Sequence, residues 1–456
     1  MSFFIAHSTI SVKICYCLCL MIFIFYFINK WKRTKIVFSP FNFQIIFFCF
    51  VMFVTSPFQY NYEIANNWSS ISTSEYLLRL NEAYLVNLFG FSILGLTMIH
   101  YERQETNSKT FCRLMNFIYS NSQSKSMTVY CVMIGMVFIA YIAIKAHGFP
   151  IFNGTRFSTE SAQFVFILLN SMVYCCGWYC VGGLSKKADI KTIGVLAILG
   201  FALLITGNRM PILKIMYAGF ILIVSSRGRI NYKTVFKQVK YVIVILFVGI
   251  AIIVARNGAG IVSFTEIINN YIIYGATFCD ARDGARVLFG YHKMYSSPLH
   301  GKTYLAALLS FVPSSVSGIP ILADIAEFRQ VYSGGRWSTY TLFGITNHYG
   351  LRGGMFLPSY FNFGVIGIVI VAIVLGYWFG NCEKLFIRMI KHKDKYDFQR
   401  ILFSYCFVSM LFELLYAPAT FNSIWGYIVV LIILILPKGQ IYLSNRSIEA
   451  RDGYEE

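Results

Sequence analysis

Charge is what this sequence has least of: Asp, Glu, Lys and Arg make up 13% of its 456 residues, against 57% that are apolar. Soluble domains carry about 25% charged residues, so this composition does not furnish a water-facing surface. Dedicated catalytic motifs are scarce too. No His/Cys cluster has metal-ligand spacing, no G-x-x-x-x-G-K-[ST] run offers a phosphate cradle, and no G-x-S-x-G elbow presents a serine nucleophile. A group-transfer reaction carried by this chain therefore needs a donor that arrives already activated. The 12 cysteines fall almost entirely in apolar runs, and the longest connector holds only Cys279, which argues against a disulfide framework. No transporter-type internal repeat and no low-complexity segment is visible. The first apolar run has neither a basic region before it nor a small-residue cleavage site after it, so it reads as a span and not as a cleaved signal.

What the sequence does have is apolar runs of membrane length. A bilayer core of about 30 Å needs roughly 20 mostly apolar residues per helix. Such runs fall at 11–28, 41–57, 83–100, 127–144, 162–183, 190–206, 211–226, 241–255, 361–380, 401–417 and 421–437. The expected fold is thus all-α and polytopic, with eleven transmembrane helices. Spans 1 to 8 occupy 1–255, a large external loop 256–360, spans 9 to 11 residues 361–437, and a polar tail 438–456. Within the loop, 261–279 and 303–323 are apolar enough to touch the membrane, as interfacial or re-entrant helices. If both cross, the count becomes thirteen.

The formal net charge of +19 is distributed by topology. Connectors alternate between basic ones, such as Lys30, Lys32, Arg33 and Lys35, and one whose only base is Arg79. Basic connectors stay in the cytoplasm, which places the amino terminus and the 256–360 loop outside and the carboxyl terminus inside. The basic excess is then an orientation signal, and no nucleic-acid partner is needed.

The two basic residue types are not shared evenly between the sides. Cytoplasmic segments use 16 Lys and 9 Arg, external ones 3 Lys and 9 Arg. Arg presents a rigid fork suited to phosphate or carboxylate, so an external Arg-rich surface points to an anionic ligand. The alternative is pairing with Asp280, Asp283, Asp324 and Glu327. Arg209 occupies a connector so short that it must lie at the mouth between two spans, as a phosphate contact or as a helix cap. Arg282 and Arg286 stand four apart, on one face if helical. Gly334-Gly335-Arg336-Trp337 combines a flexible turn with a cation and a ring that either stacks on a sugar or anchors the loop. His348 and Arg352, again four apart, lie before the ninth span, and His is the commonest general base near neutral pH. Glu413 lies inside the tenth span, as an alternative base or as the partner of Lys214.

Thr206-Gly207-Asn208-Arg209, the long loop with Gly301-Lys302-Thr303-Tyr304 leading to Phe311-Val312-Pro313, and Ser359-Tyr360-Phe361-Asn362-Phe363-Gly364-Val365-Ile366-Gly367 together resemble the O-antigen polymerases, to which the O-antigen ligases are related. The resemblance covers about 200–380. It implies an inverting glycosyltransferase of the bacterial inner membrane, without metal or cofactor, acting on undecaprenyl-pyrophosphate-linked glycans on the periplasmic face. Arg209, Arg282, Arg286 and Arg352 would hold the pyrophosphate, Arg336 and Trp337 the sugar, and His348 would be the base. Membrane lipids and a chain-length regulator are the other partners it suggests. The alternatives are a ligase that transfers glycan to lipid A core and a polysaccharide flippase or transporter.

Overall fold

The computed structural model describes parts of 17–32, then 71–104, 108–113, 280–309, 319–344, 351 and 353–392. Six helices are named here: α1 (Thr73–Arg103), α2 (Asp280–Met294), α3 (Lys302–Leu308), α4 (Pro320–Tyr332), α5 (Gly334–Arg336) and α6 (Leu357–His392). α5 runs on into a π-helical turn, Trp337–Thr341. No strand occurs among the described residues.

Polar residues fix where α1 begins. The Glu75 amide donates to Ser72 Oγ (3.3 Å), the N-cap bond of a Ser-x-x-Glu start. Arg79 then bridges Glu75 and Glu82, both at 2.8 Å, along one helical face. This capped and paired turn carries the helix well beyond the apolar run 83–100, because hydropathy registers only the part that suits lipid. α1 and Leu357–Ile387 of α6 are each 31 residues long, and their most apolar 18-residue stretches have mean hydropathy 1.5 and 2.3. At 1.5 Å per residue each measures about 46 Å, ample for a bilayer.

The two helices pack side by side and parallel. Asn87 meets Gly353 and Phe356 near one end, while Tyr101 meets Tyr377 near the other. Leu94, Met98, Ala372, Leu375 and Phe379 are fully buried between them. Gly376 and Gly380 bring the backbones together: a Cβ at Gly376 would lie 2.6 Å from Thr97 Cβ, and one at Gly380 would lie 2.8 Å from the Met98 carbonyl. Close approach through small residues drives helix association in lipid, where the hydrophobic effect is absent. Gly380→Leu should therefore lower stability by about 1–3 kcal/mol, the usual range for overpacking, read as earlier unfolding on heating in detergent. Beyond this seam, Lys30 pairs with Glu102 (3.1 Å) and Glu383 (2.8 Å), tying a third segment to α1 and α6.

α6 is interrupted at Gly364 (φ 63, ψ −150), a conformation open to glycine. The break frees groups that the loop then uses. The Phe361 carbonyl accepts from the Leu299 amide (2.8 Å). Asn362 donates to Thr303 Oγ1 (2.6 Å) and to the Pro358 carbonyl (2.7 Å), and its Oδ1 accepts from the Thr303 amide (3.3 Å). A Cβ at Gly367 would lie 2.5 Å from the Ser359 carbonyl. The Ser359–Gly367 motif is thus a docking device for α3. The apolar stretch 303–323 is divided in its described part: α3 ends at Leu308, and α4 starts afresh at Pro320, which suits a first turn. Seven residues span only about 10 Å, so α3 does not cross a bilayer.

Candidate active site

The site is assembled where α2 and the segment leading into α6 meet α1. Asn87, fully buried, is the organising side chain. Its Oδ1 accepts from the Phe356 amide (3.3 Å), while its Nδ2 donates to the Ala83 carbonyl (2.9 Å) and, at 3.5 Å, to the Gly353 carbonyl. Gly354, at φ 82, permits that approach, since a Cβ there would sit 2.8 Å from Asn87 Oδ1. Upstream, the Leu351 amide donates to Ser338 Oγ in the π turn (3.1 Å). The backbone on both sides of position 352 is therefore tied to other elements.

α2 supplies the arginine turn. Arg282 and Arg286 are both buried, as are Asp280 and Asp283. Arg282 Nε lies 3.2 Å from Asp283 Oδ1, and Arg286 Nη1 lies 3.8 Å from the same oxygen. Buried charges need such partners, so the pairing foreseen with Asp283 is present. The Gly284 position between the two arginines faces Gly353: a Cβ there would lie 3.3 Å from the Gly353 carbonyl. Two segments singled out separately in the sequence thus meet through glycines.

Arg336 and Trp337 lie apart from that turn. The Arg336 guanidinium sits over the Tyr340 ring (5.4 Å), a cation–π contact. Trp337, 3% exposed, packs among Tyr291, Tyr295 and Phe361, with its Nε1 donating to Tyr295 Oη (3.4 Å). Its ring is packed in the manner of a loop anchor in this arrangement. Tyr304 stacks on Phe363 (5.9 Å), and burial pushes its phenol well above the ordinary value.

A third cluster was not foreseen. Glu82 Oε1 accepts from His292 Nε2 (2.8 Å) and from Tyr360 Oη (3.1 Å), while Oε2 faces Arg79 (2.8 Å). One carboxylate so joins α1, α2 and α6. Burial, and secondarily the Glu82 charge, push the neighbouring Tyr291 phenol up. The only sequence signal was the Glu75, Arg79, Glu82 spacing along a helix. Arg209, His348, Arg352 and Glu413, with Lys214, lie outside the described residues.

Residues 1–443 match the family O-antigen polysaccharide polymerase Wzy. The chain belongs to that family. No curated protein and no solved structure matches it. Membership of the O-antigen polymerases makes this a membrane-embedded, glycosyltransferase-like enzyme that acts on lipid-linked oligosaccharide repeat units. It also favours the polymerase over the ligase and transporter alternatives. In this polymerase, the Ser359–Gly367 motif on which the resemblance partly rests does structural work at the helix break, with Phe361 packed on Tyr291 of α2 and Tyr360 bonded to Glu82 of α1.

Proposed function

We propose that this polymerase transfers a growing glycan from undecaprenyl pyrophosphate to a hydroxyl of a second lipid-linked repeat unit, with inversion and without a metal ion, on the periplasmic face of the inner membrane. The amino terminus is then periplasmic and the carboxyl terminus cytoplasmic. Family membership supports the polymerisation. The observation that supports the site is the packing of Gly284, between Arg282 and Arg286, on Gly353, the chain neighbour of Arg352. In this reading Arg282, Arg286 and Arg352, with Arg209, hold the pyrophosphate as negative charge builds on it during bond cleavage. Fixed cationic donors in a water-poor site lower that barrier electrostatically. Arg336, half-buried at the edge of the loop, is left to contact the sugar. A side-chain base takes the acceptor proton. His348 is the one nominated by sequence, with Glu413 in reserve, and a chain-length regulator is the protein partner of this scheme.

The test uses purified protein with lipid-linked repeat units, excess chelator and no nucleotide. A ladder of products is the expected result. Elongation only after a divalent ion is restored would overturn the metal-independent mechanism, and a single transfer to lipid A core would identify a ligase.

A further inference from the structure

We propose that His292 is the proton acceptor of the transfer reaction and that Glu82 is its positioning residue. This rests on the polymerase reading above. The basis is the contact itself: a carboxylate can only accept, so His292 Nε2, 2.8 Å from Glu82 Oε1, carries the proton, and Nδ1 of the neutral ring carries the lone pair. A base oriented by a third group is the arrangement that proton abstraction requires. Glu82 is itself held in place, by Tyr360 Oη at 3.1 Å and by Arg79 at 2.8 Å. The His292 side chain is 32% exposed and that of Glu82 22%, so a hydroxyl can reach the imidazole while the carboxylate stays sheltered.

The position fits the chemistry. His292 lies on the same helix as the arginine turn, six residues beyond Arg286: about 9 Å along the axis and about 120° around it. Proton acceptor and leaving group must stand on opposite sides of the anomeric carbon, and side chains offset in this way flank a sugar lying across the helix. The acceptor hydroxyl oxygen forms its bond to the anomeric carbon as the bond to pyrophosphate breaks. The electron pair leaves with the pyrophosphate, and the hydroxyl proton passes to Nδ1. The titratable and charged groups of the neighbouring turns are Glu75, Arg79 and Glu82 on α1, Tyr360 on α6, and Tyr291 and Lys293 on α2.

Elongation by wild type, His292→Ala, His292→Gln, Glu82→Gln and His348→Ala is compared in one assay, with donor binding measured separately. His292→Ala and His292→Gln should each lower turnover about 10²- to 10⁴-fold with donor binding kept, and added imidazole should restore part of the His292→Ala activity. Glu82→Gln keeps an acceptor for Nε2 but removes the carboxylate beside the ring that takes the proton. It should lower kcat while KM stays near the wild-type value. Wild-type turnover by His292→Ala would overturn the proposal. So would loss of donor binding in both His292 variants, which would make the cluster a structural clasp, or a wild-type kcat in Glu82→Gln. If wild type itself makes no ladder, the polymerase reading fails, a result distinct from any of these.

Discussion

Arg282→Lys and Arg209→Lys are each expected to slow elongation by about 10²-fold or more, although both keep the positive charge. The expectation rests on geometry. A guanidinium offers a planar fork to two phosphate oxygens at once, whereas an ammonium is a point charge with three rotating donors. For Arg282 the fork also has a resident partner in Asp283, at 3.2 Å from Nε. A guanidinium spreads five donors over two edges, and Lys has no equivalent second face. The measurement is the initial rate of ladder formation, paired with thermal unfolding in detergent, because Arg282 is buried and its replacement can also weaken α2. A slow but stably folded Arg282→Lys variant supports the clamp. Wild-type rates from both Lys variants would make Arg282 an ion-pair partner within the fold and return Arg209 to a helix cap.

The sequence made the lipid-facing parts of this polymerase legible and the polar connections between them much less so. Runs 83–100 and 361–380 lie inside α1 and α6, because twenty apolar residues in a row have one stable outcome in a bilayer. The start of α1 was missed because Ser72, Glu75, Arg79 and Glu82 extend the helix by capping and ion pairing, to which hydropathy is blind. The helical spacing of Arg282 and Arg286 was readable, and so was their pairing with Asp283 as an alternative. Two things were not readable. Trp337 was open to either of two roles, and its packing among Tyr291, Tyr295 and Phe361, from two other segments, has no local signature. The Glu82–His292 contact joins residues 210 positions apart, and no local pattern announces a long-range contact of that kind.

Asn87→Leu should reduce elongation by about 10²-fold while leaving the chain inserted and folded, because it alters the seat of the segment before α6 and not the spans themselves. Leu is close to Asn in size, so the seam between α1 and α6 keeps its packing. What it removes is the acceptor for the Phe356 amide and the donor to the Gly353 and Ala83 carbonyls. Leaving a buried backbone amide without its partner is worth about 1–3 kcal/mol, enough to let residues 353–356 shift. Arg352 is one peptide bond away, and in the proposed mechanism a displacement of about 1 Å at a charged clamp is sufficient for the loss. Gly354→Ala approaches the same seat from the other side, since its methyl would strain a backbone at φ 82 and lie 2.8 Å from Asn87 Oδ1. Both variants break one contact, so the double variant should be little slower than either single one. Fully additive losses would mean that the two act separately, and an Asn87→Leu enzyme elongating at the wild-type rate would show that the position of this segment does not govern transfer.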